Sequence, residues 1–72
     1  MPESVFQELD VVALIKDVPE HHLLRGHVGT VVHAYSSDAF EVEFVNAQGH
    51  TYGLATLNSS QLLRLRYEPA LA

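Results

Sequence analysis

The chain predicts an all-β fold, a small five-stranded barrel. Three observations carry this. Phe40, Val42 and Phe44 alternate with Glu41 and Glu43, the period-2 pattern of a strand with one face buried. Other short runs are apolar and β-branched, as strands prefer. Turn-forming clusters, Ser36-Ser37-Asp38 and Asn46-Ala47-Gln48-Gly49, separate neighbouring runs at hairpin spacing.

Taken in order, Ser4 followed three residues later by Gln7 has the form of a capping box, which predicts one short helical turn over Val5–Leu9. Phe6 and Leu9 would anchor that turn to the barrel. Asp10–Lys16 is apolar on both alternating faces, the signature of a strand covered on both sides. Asp17, Pro19 and Gly26 bracket a polar excursion longer than the usual hairpin loop of about 2–5 residues. His27–Tyr35 is the second strand, with Gly29 either bulging it or letting another backbone approach closely.

After the Ser36–Asp38 turn the third strand carries Phe40, Val42 and Phe44. Gly49 then suits a positive φ in the next hairpin. His50–Leu57 is strand four, with Gly53 marking a bend. Asn58-Ser59-Ser60 caps a single tight helical turn. The last strand, Leu62–Tyr67, places Leu63 and Leu65 on one face, and Pro69 ends it. This layout matches a Src-homology-3-like barrel, whose closure would dispose of edges that an open sheet leaves exposed. One domain spans 1–72, with the barrel over about 9–67 and short tails at 1–8 and 68–72.

Composition sets the limits. At 72 residues a chain buries only about 60% of its unfolded surface, so the core is small. A hydrophobic fraction of 47% with 18% charged residues describes a chain that folds rather than a disordered acidic tail. With no cysteine, neither disulfides nor a zinc ribbon supplement that core. The start lacks a basic, apolar leader and no stretch nears the roughly 20 apolar residues of a membrane span, so the protein is expected in the cytoplasm, away from membranes. Four basic against nine acidic residues give a net charge of −5, which repels a phosphate backbone and argues against nucleic acid.

Several stretches carry a family resemblance: Asp10-Val11-Val12-Ala13-Leu14, Asp17-Val18-Pro19-Glu20, Gly26-His27-Val28-Gly29-Thr30-Val31-Val32, Phe40-Glu41-Val42-Glu43-Phe44-Val45, and Thr51-Tyr52-Gly53-Leu54 running to Gln61-Leu62-Leu63. They resemble the bacterial domain-of-unknown-function family 4926 over roughly residues 9 to 66. The resemblance implies a short stand-alone protein without established activity or catalytic residues. It also implies a partner of a protein encoded nearby, in an arrangement similar to toxin–antitoxin pairs. His21, His22, His27 and His33 depart from the mixed polar residues expected there.

No residue pattern suggests catalysis, so the chain is read as a non-enzyme without cofactor. Ser36, Ser37, Ser59 and Ser60 sit in turns, where hydroxyls bond local backbone. Glu41 and Glu43, about 6.6 Å apart by strand rise, fall within the inverting-glycosidase separation of about 6.5–9.5 Å. A flat solvated strand face offers them no pocket. The histidines invite a metal reading. However, His27 and His33 lie about 20 Å apart along a strand at ~3.3 Å per residue, adjacent His21 and His22 point oppositely when extended, and no known ligand spacing is present. Asp10 faces Arg64 and Arg66 across predicted strands one and five, a structural ion pair.

The expected working surface is the first loop: Asp17, Glu20, His21, His22, Leu23 and Leu24. One leucine is expected to fold under the loop and plug the barrel end, the other to stay exposed. With uncovered apolar tails at Phe6, Tyr67 and Leu71, this surface points to a protein-binding module, antitoxin-like or accessory, or to self-association as a homodimer. A nucleic-acid-binding barrel and a loop-histidine metal protein are the competing readings. Protonation of the five histidines would bring the charge near zero, lowering solubility toward about pH 5.5.

Overall fold

A computed structural model describes residues 6–66. Five strands form one antiparallel sheet: β1 Val11–Leu14, β2 Val28–Ser36, β3 Ala39–Val45, β4 Thr51–Leu57 and β5 Leu62–Arg64, in the order β4-β3-β2-β1-β5. The chain is thus all-β. No β4–β5 ladder joins the two ends of this order, so the sheet curls without closing by hydrogen bonds. Among the described residues no helix is long and apolar enough to cross a membrane.

Alternation places Phe40, Val42 and Phe44 at the centre of the core, where all three are fully buried. Val12, Leu14, Val31, Ala55, Leu57 and Leu62 close around them. Two plugs complete the core. Phe6 meets Phe40 edge to face at 5.3 Å, and Val18 and Leu23 fold in from the first loop.

Curvature comes from extra residues on two strands. The β2–β3 register shifts between Val31 and His33 and again between Ala34 and Ser36, and the β3–β4 register shifts between Phe44 and Val45, opposite Tyr52. Such bulges raise the local twist and bend a sheet over its own core. The shift at Val32 also breaks strict alternation, so Val31 and Ala34, three apart, both turn inward. His27 and His33 therefore do not share the parity expected of an unbroken strand. Gly29 is not a bulge but a close approach. A Cβ there would stand 2.8 Å from both the Glu43 carbonyl oxygen and Val42 Cγ1.

The entry segment departs from the expected helical turn. Gln7–Asp10 is a tight turn in which the Asp10 N–H donates to the Gln7 carbonyl at 3.1 Å and Leu9 takes φ 75°. The Asp10 side chain accepts from the Gln7 N–H at 2.9 Å, a local alternative to helix that Asp favours. Phe6 anchors the segment as expected and is not an uncovered tail, whereas Leu9 is 79% exposed. Ser4, Val5, Tyr67, Pro69 and Leu71 lie outside the described residues.

The strands are shorter than their apolar runs. β1 stops at Leu14, leaving Ile15 and Lys16 exposed, and β5 stops at Arg64 with Leu62, rather than Leu63, on the core side. Before β5 the expected 3-10 turn forms over Ser59–Gln61, with the Asn58 N–H donating to Gln61 Oε1 at 3.0 Å. Asp38 Oδ1, at the tip of the β2–β3 hairpin, accepts from Ser59 Oγ at 2.6 Å and from its N–H at 3.1 Å. Gly49 adopts φ 82° in the β3–β4 hairpin as expected. The Asp10–Arg64 ion pair forms at 3.7 Å.

Candidate functional site

The first loop is built on a neck, a bridge and a tip. At the neck, the Leu14 N–H donates to the His27 carbonyl at 2.9 Å and the Gly26 N–H to the Leu14 carbonyl at 2.7 Å. Asp17 Oδ1 accepts from the Arg25 N–H at 2.8 Å. Val18 and Leu23 then exchange backbone hydrogen bonds at 2.8 and 3.2 Å, pinching off a 3-10 turn, Pro19–His21, within the polar excursion. Pro19 suits its first position, where no N–H is needed. His22 ends it in the left-handed region at φ 57°.

This geometry divides the predicted residues. Glu20, His21 and His22 are exposed at the tip and Leu24 is 56% exposed beside the neck, while Asp17 is occupied in holding the neck closed. Leu23 is 1% exposed. It belongs to the core and leaves the surface set, because the bridge to buried Val18 turns it inward. His27 ties the loop to the sheet, with its Nδ1 accepting from the Leu24 N–H at 3.0 Å and its ring edge to face with Tyr52 at 5.6 Å. Among the described residues no three His, Asp or Glu side chains converge as metal ligands.

Glu41 and Glu43 are half-buried acceptors rather than freely solvated groups. Glu41 Oε1 accepts from Thr56 Oγ1 at 2.7 Å and from the Tyr35 hydroxyl at 3.2 Å, and Glu43 Oε2 accepts from Thr51 Oγ1 at 2.7 Å. Desolvation, with the hydrogen bond and charge of Glu41 adding to it, raises the Tyr35 pKa. Hydrogen bonds from the Ser59 hydroxyl and N–H lower that of Asp38. Of the serines expected to bond local backbone, Ser36 does so, its Oγ accepting from the Asp38 N–H, whereas the hydroxyls of Ser59 and Ser60 donate to the side chains of Asp38, 21 residues away, and Asn58.

The face of β1 opposite the core carries what pattern reading missed. Ala13 is in register with Val28 on β2 and Leu63 on β5. Residues directly opposite share a face, so Val28, Ala13 and Leu63 form one apolar row across three strands. Val28 is 44% and Leu63 55% exposed. Val11 lies on the same face, half-buried, opposite Thr30. The signal was present in a strand apolar on both faces, but among the described residues the second face is only partly covered, with Val11 and Ala13 half-buried.

Compared with known families, residues 8–64 match the family described as Domain of unknown function (DUF4926). The chain belongs to this family. The match takes in all five strands of the DUF4926 sheet, the loop and the Val28–Ala13–Leu63 row. No curated protein and no solved structure matches it.

Proposed function

We propose that this DUF4926 protein is a non-enzymatic protein-binding module, the antitoxin-like or accessory partner of another protein. The observation that carries the reading is β1, apolar on both faces but fully buried on only one: Val12 and Leu14 are in the core, while Ala13 lies half-buried in the row with exposed Val28 and Leu63, and Val11 lies half-buried on the same face opposite Thr30. A row of neutral apolar residues on a strand framework favours a protein surface over a soluble metabolite. The pinned loop adds exposed Leu24 and the exposed polar residues Glu20, His21 and His22 to the surface available to a partner. The net charge of −5 favours a partner with a basic rim.

The strand order, with β5 returning to β1 after a 3-10 turn, supports a partly open Src-homology-3-like barrel as the scaffold. A cytoplasmic setting belongs to the same reading, since a chain without cysteine needs no oxidising compartment. The test is affinity capture from native lysate with tagged wild type, Val28→Lys, Leu63→Lys and, as a control off the row, Leu9→Lys. A protein held by wild type and Leu9→Lys but lost from both row variants is expected. Equal capture by all four would exclude the row as the binding surface.

A further inference from the structure

Three turns among the described residues are closed the same way. In each, a backbone N–H donates to the side chain three residues on, and that residue's own N–H returns a bond to the first residue's carbonyl, much as in a capping box. Gln7 donates to Asp10 Oδ2 at 2.9 Å with a return bond of 3.1 Å, and Asn58 to Gln61 Oε1 at 3.0 Å with a return bond of 3.1 Å. The third turn is in the first loop. There the Leu24 N–H donates to His27 Nδ1 at 3.0 Å and the His27 N–H to the Leu24 carbonyl at 3.0 Å, enclosing Arg25 and Gly26, which takes φ 94°.

The three acceptors differ in chemistry. A carboxylate and an amide oxygen keep their lone pairs at neutral and mildly acidic pH, whereas imidazole changes charge between about pH 5 and 8. With Nδ1 accepting, the His27 ring is neutral and its proton is on Nε2. Adding a proton makes Nδ1 a donor, and two N–H groups then face each other across 3.0 Å. Either the ring swings away or the turn opens, and in both cases the Leu24 N–H loses its acceptor. We propose that His27 is a pH switch for the first loop: neutral, it fixes the Leu24–His27 turn, and protonated, it releases Leu24. The switch belongs to the loop itself and does not rest on the partner reading above.

The setting of His27 suits that role. It is half-buried, while His21, His22, His33 and His50 are exposed, and among the described residues no other histidine ring accepts a hydrogen bond. The ionisable side chains of the surrounding segments are Lys16 and Asp17 beyond β1, Arg25 within the turn, Glu43 on β3, and Tyr52 on β4 with His50 just before it. Asp17 is committed to the Arg25 N–H and Glu43 to Thr51 Oγ1. The ion pairs of the described residues, Glu8–His33 and Asp10–Arg64, do not include His27. An imidazolium there gains no carboxylate partner to offset the lost bond. The Tyr52 ring, edge to face at 5.6 Å, packs against the imidazole in its accepting position.

The test is NMR of the full chain from about pH 8 to about pH 5, following the His27 ring and the protection of the Leu24 amide against solvent exchange, corrected for the intrinsic pH dependence of exchange. Protection is expected to fall in step with ring protonation by roughly two- to tenfold, the worth of one ordinary hydrogen bond. The Val18 and Leu23 amides, which bond to each other's carbonyls, should keep theirs. His27→Asn, whose amide oxygen is as many bonds from Cα as Nδ1, should hold Leu24 protected at both ends of the range. His27→Phe keeps a ring against Tyr52 without an acceptor and should leave Leu24 unprotected at both. Leu24 protection that is unchanged across the range, that falls equally in His27→Asn, or that falls no more than at Val18 and Leu23 would overturn the proposal.

Discussion

Leu23 packs over Gly53: its Cδ2 lies 3.3 Å from the point a Cβ at residue 53 would occupy, and Phe44 Cβ lies 3.7 Å from that point. The bare backbone of Gly53 is thus the seat on which the first loop is held against the sheet. Leu23→Ala should destabilise the fold by about 2–5 kcal/mol, as for other buried leucines, measured by urea unfolding. Gly53→Ala requires only a small displacement of a flexible leucine end and should change stability by about 1 kcal/mol or less. Gly53→Val should cost more in wild type than in the Leu23→Ala background, a coupling that a double-mutant cycle reads directly.

Gly29 is tighter. An added Cβ would lie 2.8 Å from the Glu43 carbonyl oxygen and 2.9 Å from Phe44 Cδ2, and a backbone oxygen in a ladder cannot swing aside. Gly29→Ala should destabilise by at least the ~1–3 kcal/mol typical of overpacking. The urea midpoint should fall with an unchanged m-value.

The Asp38–Ser59 contact ties the β2–β3 hairpin to the last turn, and it depends on pH. The two Ser59 donors hold the Asp38 carboxyl below its ordinary pKa. A depressed carboxyl contributes stability above its unfolded value, about 3.9, and loses it as pH falls through the lower folded value. Ser59→Ala should therefore narrow the gap in melting temperature between neutral and acidic pH. A wild-type acid limb unchanged by Ser59→Ala would contradict this.

Tyr35 titrates in the opposite sense. Its pKa lies above the ordinary value because of desolvation first, and then the hydrogen bond and charge of Glu41. The stabilising contribution is complete below the unfolded value of about 10 and is lost as pH rises through the folded one. In an NMR titration, Glu41→Gln should move the Tyr35 ionisation back toward the ordinary value.

Much of this fold was legible because strands write themselves at period two. Phe40, Val42 and Phe44 declared their core face, Gly49 its turn and Asn58-Ser59-Ser60 the cap, while the Asp10–Arg64 pair followed from the barrel layout that sets the first strand beside the last. The entry turn was not legible. A capping-box spacing at Ser4 and Gln7 competes with the Asp10 carboxylate, which satisfies the Gln7 N–H in a tight turn instead.

Composition and alternation by themselves determined a cysteine-free, acidic, all-β chain with its central core strand and most of its turns. Which leucine of the Leu23–Leu24 pair is core was decided by the Val18–Leu23 bridge and the space over Gly53, both contacts between residues distant in the chain. The Val28–Ala13–Leu63 row and the edge position of β4 in the described sheet are likewise products of register and strand order. Period-two alternation shows that a strand has two faces, but only the assembled sheet shows which face or edge is left without a neighbour.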